Sequence, residues 1–184
     1  MRICHLINSL GSGGAERNLT ELVNNIKGYE NIIISLKKDN FYSNQINKNC
    51  KIYFLNFSYS FASIFEFFKI IKILNSEKPK IMMAWMYHSI FLTIFIKLFI
   101  NCRVIWNIRH SNFNIKYTKI KTVIFVLFCS IFSYVIPKKI VYNSSTSKVF
   151  HEKKFFFKKK SVLINNGFHK FYIKKKKNKK FIIS

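Results

Sequence analysis

Asn8-Ser9-Leu10-Gly11-Ser12-Gly13-Gly14-Ala15-Glu16-Arg17 joins an apolar run to a stretch with helical spacing, and its reading decides the fold. The run before it, Ile3-Cys4-His5-Leu6-Ile7, has the near-continuous apolar character of a strand buried on both faces. After it, Leu19, Leu22, Val23 and Ile26 recur at helical intervals, and Gly28 stands where a helix would stop. Gly11, Gly13 and Gly14 are three of only 5 glycines in the chain, so flexibility is concentrated at this one turn. Glycine permits positive φ and close approach of a ligand to the backbone, and the free N–H groups of a helix start favour an anion. A tight strand-to-helix turn without a ligand accounts for the same residues. Two phosphate motifs are excluded. Glu16 stands where a dinucleotide fingerprint needs its third glycine, and no Gly-Lys-Ser/Thr follows for a Walker loop.

Outward from this turn, apolar strand candidates alternate with helical stretches. Strands are expected at 31–36, 51–55, 81–85, 103–108, 139–142 and 161–164. Helices are expected at about 61–75, 88–100 and 115–134, with Ser144 and Ser145 capping one more. Such alternation implies an α/β fold with a Rossmann-like, doubly wound parallel sheet.

The 184 residues suffice for one good core or for one domain and the beginning of another. Lysines and arginines outnumber acidic residues 32 to 7, a formal charge of +25 that favours anionic surfaces. Lys, Asn, Ile and Phe recur in every segment, so the charge is a general bias and not a local nucleic-acid signature. Cys4, Cys50, Cys102 and Cys129 are far apart, which suits free thiols in a reducing compartment. No signal peptide is expected, since Met1-Arg2 runs straight into the first apolar run. The apolar stretches 91–100 and 122–137 are shorter than the twenty or so residues of a membrane span. They read either as core helices or as helices lying in a lipid interface, the second flanked by Lys116, Lys119, Lys121 and Lys138.

The ordered set Gly13-Gly14-Ala15-Glu16-Arg17, Trp106 with Arg109-His110-Ser111, Tyr142-Asn143-Ser144-Ser145, His151 and Val162-Leu163-Ile164-Asn165-Asn166-Gly167-Phe168 closely resembles one family. It is similar to the N-terminal half of the retaining, two-domain GT-B glycosyltransferases of the family 4 type, over nearly the whole chain. The resemblance implies an acceptor-binding domain that faces a second, donor-binding domain across a cleft. It implies that His110 contacts the transferred sugar or orients the acceptor, as the catalytic candidate. Gly13 and Gly14 would offer backbone N–H groups to the donor diphosphate or the sugar, and Arg109 could neutralise a phosphate. Ser111 and His88 are further substrate-binding candidates, and Asn166 and Gly167 would mark the cleft edge. Each has a plainer reading: His110 as a hydrogen-bonded loop histidine, Ser144 and Ser145 as caps, Asn166-Gly167 as a turn, His151 as structural.

The family's donor site, with its basic pair and Glu-x7-Glu motif, has no counterpart in these residues. Residues 1–169 are therefore expected to form the acceptor domain, and 170–184 a basic linker and the opening strand of a donor domain. A fragment, a split gene product with a separately encoded C-terminal domain, and a truncated copy all fit, and sugar transfer is not expected from this chain alone. The expected function is transfer of a hexose from a nucleotide-sugar to a lipid-linked or polysaccharide acceptor in cell-surface glycan synthesis, such as lipopolysaccharide. No cofactor and no metal are expected. The expected partners are the nucleotide-sugar, the lipid-linked glycan acceptor and an anionic membrane surface, with no nucleic acid. The place expected is cytoplasmic, peripheral on the inner face of the cytoplasmic membrane. The rival from another class is a basic α/β module that binds membrane or RNA without catalysis. It lacks the aromatic and glycine-loop signatures of RNA recognition.

Overall fold

The computed structural model of the protein describes residues 1–58, 63–109, 120–154 and 156–167. Seven parallel strands form one sheet, the inner ones largely buried on both faces and the two edge strands half-exposed. They are β1 (Arg2–Ile7), β2 (Glu30–Ser35), β3 (Lys51–Phe54), β4 (Ile81–Trp85), β5 (Arg103–Ile108), β6 (Lys139–Tyr142) and β7 (Ser161–Leu163). Their spatial order is β3-β2-β1-β4-β5-β6-β7. In register, Ile7 lies beside Ser35 on one flank of β1, and Leu6 beside Ala84 on the other. The chain therefore winds one way from β1 to β3 and the other way from β4 to β7, and the Rossmann-like, doubly wound α/β sheet is observed.

Among the described residues five α-helices connect the strands: α1 (Gly14–Asn25), α2 (Ser63–Glu77), α3 (Met86–Ile96), α4 (Ile120–Phe132) and α5 (Ser145–Lys153). Alternate strand residues enter two cores. Ile7, Ile33 and Trp85 pack with Leu19 and Val23 of α1. Leu6, Ile34, Ala84 and Trp106 pack with Ile70 of α2, Ile90 of α3 and Val126 of α4. The α1 face thus carries one helix, and the other face carries most of the helical mass.

The alternation fails at one crossover. Between β2 and β3 the chain makes only a single 3-10 turn, Ser43–Gln45, because residues 37–50 are mostly polar and lack an apolar stripe to bury. The described part of the fourth helix begins at Ile120, so the expected start near residue 115 lies outside the described residues. The expected linker at 170–184 lies outside them too. Gly28, with φ +77, is the one described glycine in the left-handed region, and it turns the chain between α1 and β2.

The remaining ends are closed locally. Ser144 Oγ accepts the Ser147 N–H at 3.1 Å, capping α5 as its position before the helix predicts. All four cysteines are free. Burial pushes the Cys4 and Cys129 thiols well up and that of Cys50 to about 12, so none is a ready nucleophile.

Candidate functional site

In a doubly wound sheet the ligand crevice opens beyond the strands' C-terminal ends, where the winding reverses. Here that point lies between β1 and β4. A hollow of about 410 Å³ sits there, lined among others by Gly13, Gly14, Glu16, Met86, Arg109, Asn143 and Asn166. A second hollow of about 320 Å³ runs along α1 and shares Asn18, Arg109 and Asn166 with the first, adding Asn165 and Gly167. Asn18, Arg109 and Asn166 are thus the common wall. Each lining segment follows a strand: 13–16 follow β1, Met86 follows β4, Arg109 β5, Asn143 β6 and Asn166 β7.

The glycine turn is held from outside. Leu10 is buried, its N–H donates to the Asp39 carbonyl at 3.1 Å, and its own carbonyl accepts from the Tyr42 N–H at 3.0 Å. Gly13 caps α1 with φ −88, an ordinary value, so the turn is not built on positive φ. The neighbour of Gly13 is the flexible end of the Glu16 side chain. A Cβ on Gly13 would come within 2.2 Å of a Glu16 carboxylate oxygen, whereas one on Gly14 would meet nothing within 4 Å. No side chain caps this helix start, and its first residues, with the Glu16 carboxylate among them, line the hollow. Arg17 points elsewhere and pairs with Glu21 at 3.1 Å.

Arg109 is the strongest charge in the crevice. Its Nε donates to Asn107 Oδ1 at 2.9 Å, and a terminal nitrogen donates to Asn166 Oδ1. Its guanidinium lies over the Trp85 indole, 5.0 Å from the ring centroid, a favourable cation–π placement. Burial pulls its pKa down, yet a guanidinium stays protonated in proteins. Among the described residues no carboxylate pairs with it. A half-buried cation held on three sides by neutral groups, with donors to spare, is an anion site in chemical terms.

Trp85 is itself fixed from below. It is fully buried, and its indole N–H donates to His5 Nδ1 at 3.4 Å, while His5 Nε2 contacts Asn31 Oδ1 at 3.2 Å. The ring is therefore neutral with its proton on Nε2, and burial lowers its pKa to about 4. Met86, which lines the hollow, takes φ +67 where β4 passes into α3 without a loop. That is a strained value for a side chain of this size, and such strain concentrates at functional sites. Asn143 adds a buried Oδ1 without a hydrogen-bond partner among the described residues, an acceptor left for a ligand hydroxyl.

Of the residues singled out from sequence, Gly13, Gly14, Arg109, Asn166 and Gly167 come together at this edge. His88 lies on α3, edge-on to Phe125 of α4 at 5.4 Å, and lines neither hollow. His110 and Ser111 lie outside the described residues. His151 is buried on α5: its Nδ1–H donates to the Ser147 carbonyl at 2.6 Å and its Nε2 accepts from the Tyr87 hydroxyl. Met86 and Asn143 were missed, although both follow a strand at the edge that singles out Arg109. Trp85 and His5 carried no local signal, since 80 residues separate them.

No family model and no curated protein sequence matches the chain. Solved structures do. HepE of Anabaena, in complex with UDP, superposes with a TM-score of 0.73 at 12% identity, over 91% of this chain and 44% of its own. UDP-N-acetylglucosamine 2-epimerase of Rickettsia bellii gives 0.63 at 10% identity, over 90% and 45%. The lipopolysaccharide outer core galactosyltransferase WaaB, in its apo form, gives 0.63 at 14%, over 90% and 45%. The fold is the Rossmann-like α/β fold of GT-B N-terminal halves, and the chain spans about half the length of these structures.

Proposed function

We propose that the crevice binds a nucleotide-sugar and that the chain is the acceptor-side domain of a retaining, family 4-type hexosyltransferase. The observation that carries the reading is Arg109: a half-buried cation without a carboxylate partner among the described residues, sharing a hollow with the first turn of α1. HepE, the structural neighbour solved with UDP, has also been solved with UDP-glucose, which supports a UDP-sugar as the ligand class.

In this proposal the α1 N–H groups and Arg109 face the diphosphate, whose charge grows as the sugar leaves. Asn143 Oδ1 accepts a hydroxyl of sugar or acceptor. His110, next to Arg109 in the chain, is assigned to the transferred sugar on sequence grounds alone. The acceptor proposed is a lipid-linked or polysaccharide glycan of the cell surface. Transfer needs donor and acceptor fixed together, and the gain comes from that positioning. Residues 1–167 supply one wall of such a cleft, so binding by this chain is the property to test.

Titration of isotope-labelled protein with UDP, UDP-glucose and glucose tests it. The amide signals of Gly13, Gly14 and Asn143 should shift with both UDP ligands and stay still with glucose. Unmoved signals with UDP-glucose at millimolar concentration would remove the proposal.

A further inference from the structure

Away from the crevice, the α2–α4 face leaves an unusual amount of apolar surface uncovered. Leu98 is 78% exposed, Val135 76% and Phe65 74%, with Ile131 and Phe68 also open. Ring contacts link the elements that carry them. Phe67 and Phe68 of α2 each meet Phe99 just beyond α3, at 5.9 and 6.4 Å between ring centroids. Phe91 of α3 stacks on Phe125 of α4 at 4.4 Å. Only the end of α3 takes part, since Tyr87, Ile90, Leu92, Ile94 and Ile96 are buried, while α2 joins a surface that its sequence did not announce.

At the strands' N-terminal ends this surface runs into a basic basin of about 1070 Å³. Lys78, Lys80, Lys97, Arg103, Lys138 and Lys160 border it, no acidic residue does, and Val135 belongs to both its rim and the apolar surface. None of these six cations is paired with a carboxylate among the described residues. Two are held in place by backbone: Lys97 Nζ donates to the Cys102 carbonyl at 2.8 Å, and Lys160 Nζ to the Tyr134 carbonyl at 2.5 Å.

We infer that the α2–α4 face and this basin together form a docking surface for an anionic lipid bilayer. The apolar residues enter the acyl boundary and the basin receives the headgroup phosphates. Charge selects this occupant. A second copy would bring two such basins of a +25 chain together and be repelled, and RNA would meet the phosphate-seeking cations but leave the apolar surface in water. A lipid surface satisfies both. No helix among the described residues is long and apolar enough to cross the membrane, so the contact lies in the interface.

Co-sedimentation of the full chain with vesicles tests this, using phosphatidylcholine alone or mixed with phosphatidylglycerol. The protein should partition onto the mixed vesicles and weaken as salt rises. The double variant Leu98→Glu/Val135→Glu should partition about tenfold less or worse, since it loses buried apolar area and gains repulsion. Both positions face solvent, so its thermal melt should match the parent, and its UDP titration should be unchanged. That separates this inference from the nucleotide-sugar reading. Parent-like partition of the double variant, equal partition onto neutral vesicles, or a dimer that the double variant dissolves would each overturn it.

Discussion

Arg109→Met is expected to weaken UDP binding by about ten- to a hundredfold while the fold holds. Hydrogen bonds to a charged group contribute about 1.5–3 kcal/mol, and about 1.4 kcal/mol is a factor of ten in affinity. Methionine keeps the unbranched stem over Trp85 and removes only the charge and the fork. Asn107 and Asn166 lose a donor: at half-buried Asn166 water can replace it, whereas Asn107 is buried, so a small loss of stability accompanies the change. Arg109→Lys sharpens the test. A lysine restores the charge but reaches as a point, without the planar group that rests on the indole and engages both asparagines. It should recover part of the loss and not all. Calorimetric titration of the three proteins with UDP checks the order parent, Lys, Met, and unchanged affinity in Arg109→Met would remove this side chain from the site.

The second large effect is on stability against pH. His5 is neutral in the fold because the Trp85 indole donates to one nitrogen and the buried ring cannot be hydrated as a cation. Its folded pKa, about 4, lies below the ordinary 6.5, so the unfolded chain takes up a proton that the folded chain refuses. Its stabilising contribution is therefore complete above pH 6.5, falls as the pH drops from there towards about 4, and levels off below. Over that window the loss should reach about 3 kcal/mol, at 1.36 kcal/mol per pKa unit. The check is denaturant unfolding at several pH values for the parent and for His5→Leu. The variant will be less stable throughout, because Trp85 and Asn31 lose their partner. Its pH slope below 6.5 is the informative quantity, and it should be shallower by this amount. Equal slopes would mean that His5 is solvated or protonated in the fold.

What could be read in the chain follows from how local each signal is. Strands β1, β4, β5 and β6 are near-continuous apolar runs, and their positions were legible to within a residue. The β2–β3 crossover carried no helix signal, since 37–50 has no apolar periodicity, and only a single 3-10 turn forms there. At the site, the edge rule brought out Gly13, Gly14, Arg109, Asn166 and Gly167 because each follows a strand. Applied without exception, it also finds Met86 and Asn143. The reasons for those residues stayed hidden. The Glu16 carboxylate folds back towards Gly13, and Arg109 is poised because Trp85 lies beneath it. Both depend on side-chain directions, and the support from His5 depends on β1 and β4 being neighbours in the sheet. His88 drew notice as a lone histidine near a strand end. One helical turn was enough to carry it to the α3–α4 contact instead.

The clasp of Leu10 between Asp39 and Tyr42 ties the floor of the crevice to a connection about thirty residues further along the chain. The two segments share their hydrogen bonds, so neither can open without the other, and they form one unit of local unfolding. The lifetime of a competent site is then set by how often the β2–β3 connection lifts, an event with no chemistry of its own. Hydrogen–deuterium exchange should show it: the amides of Leu10 and Tyr42 should share one protection factor, below that of the β1 amides. A freely exchanging Tyr42 beside a protected Leu10 would break the unit in two.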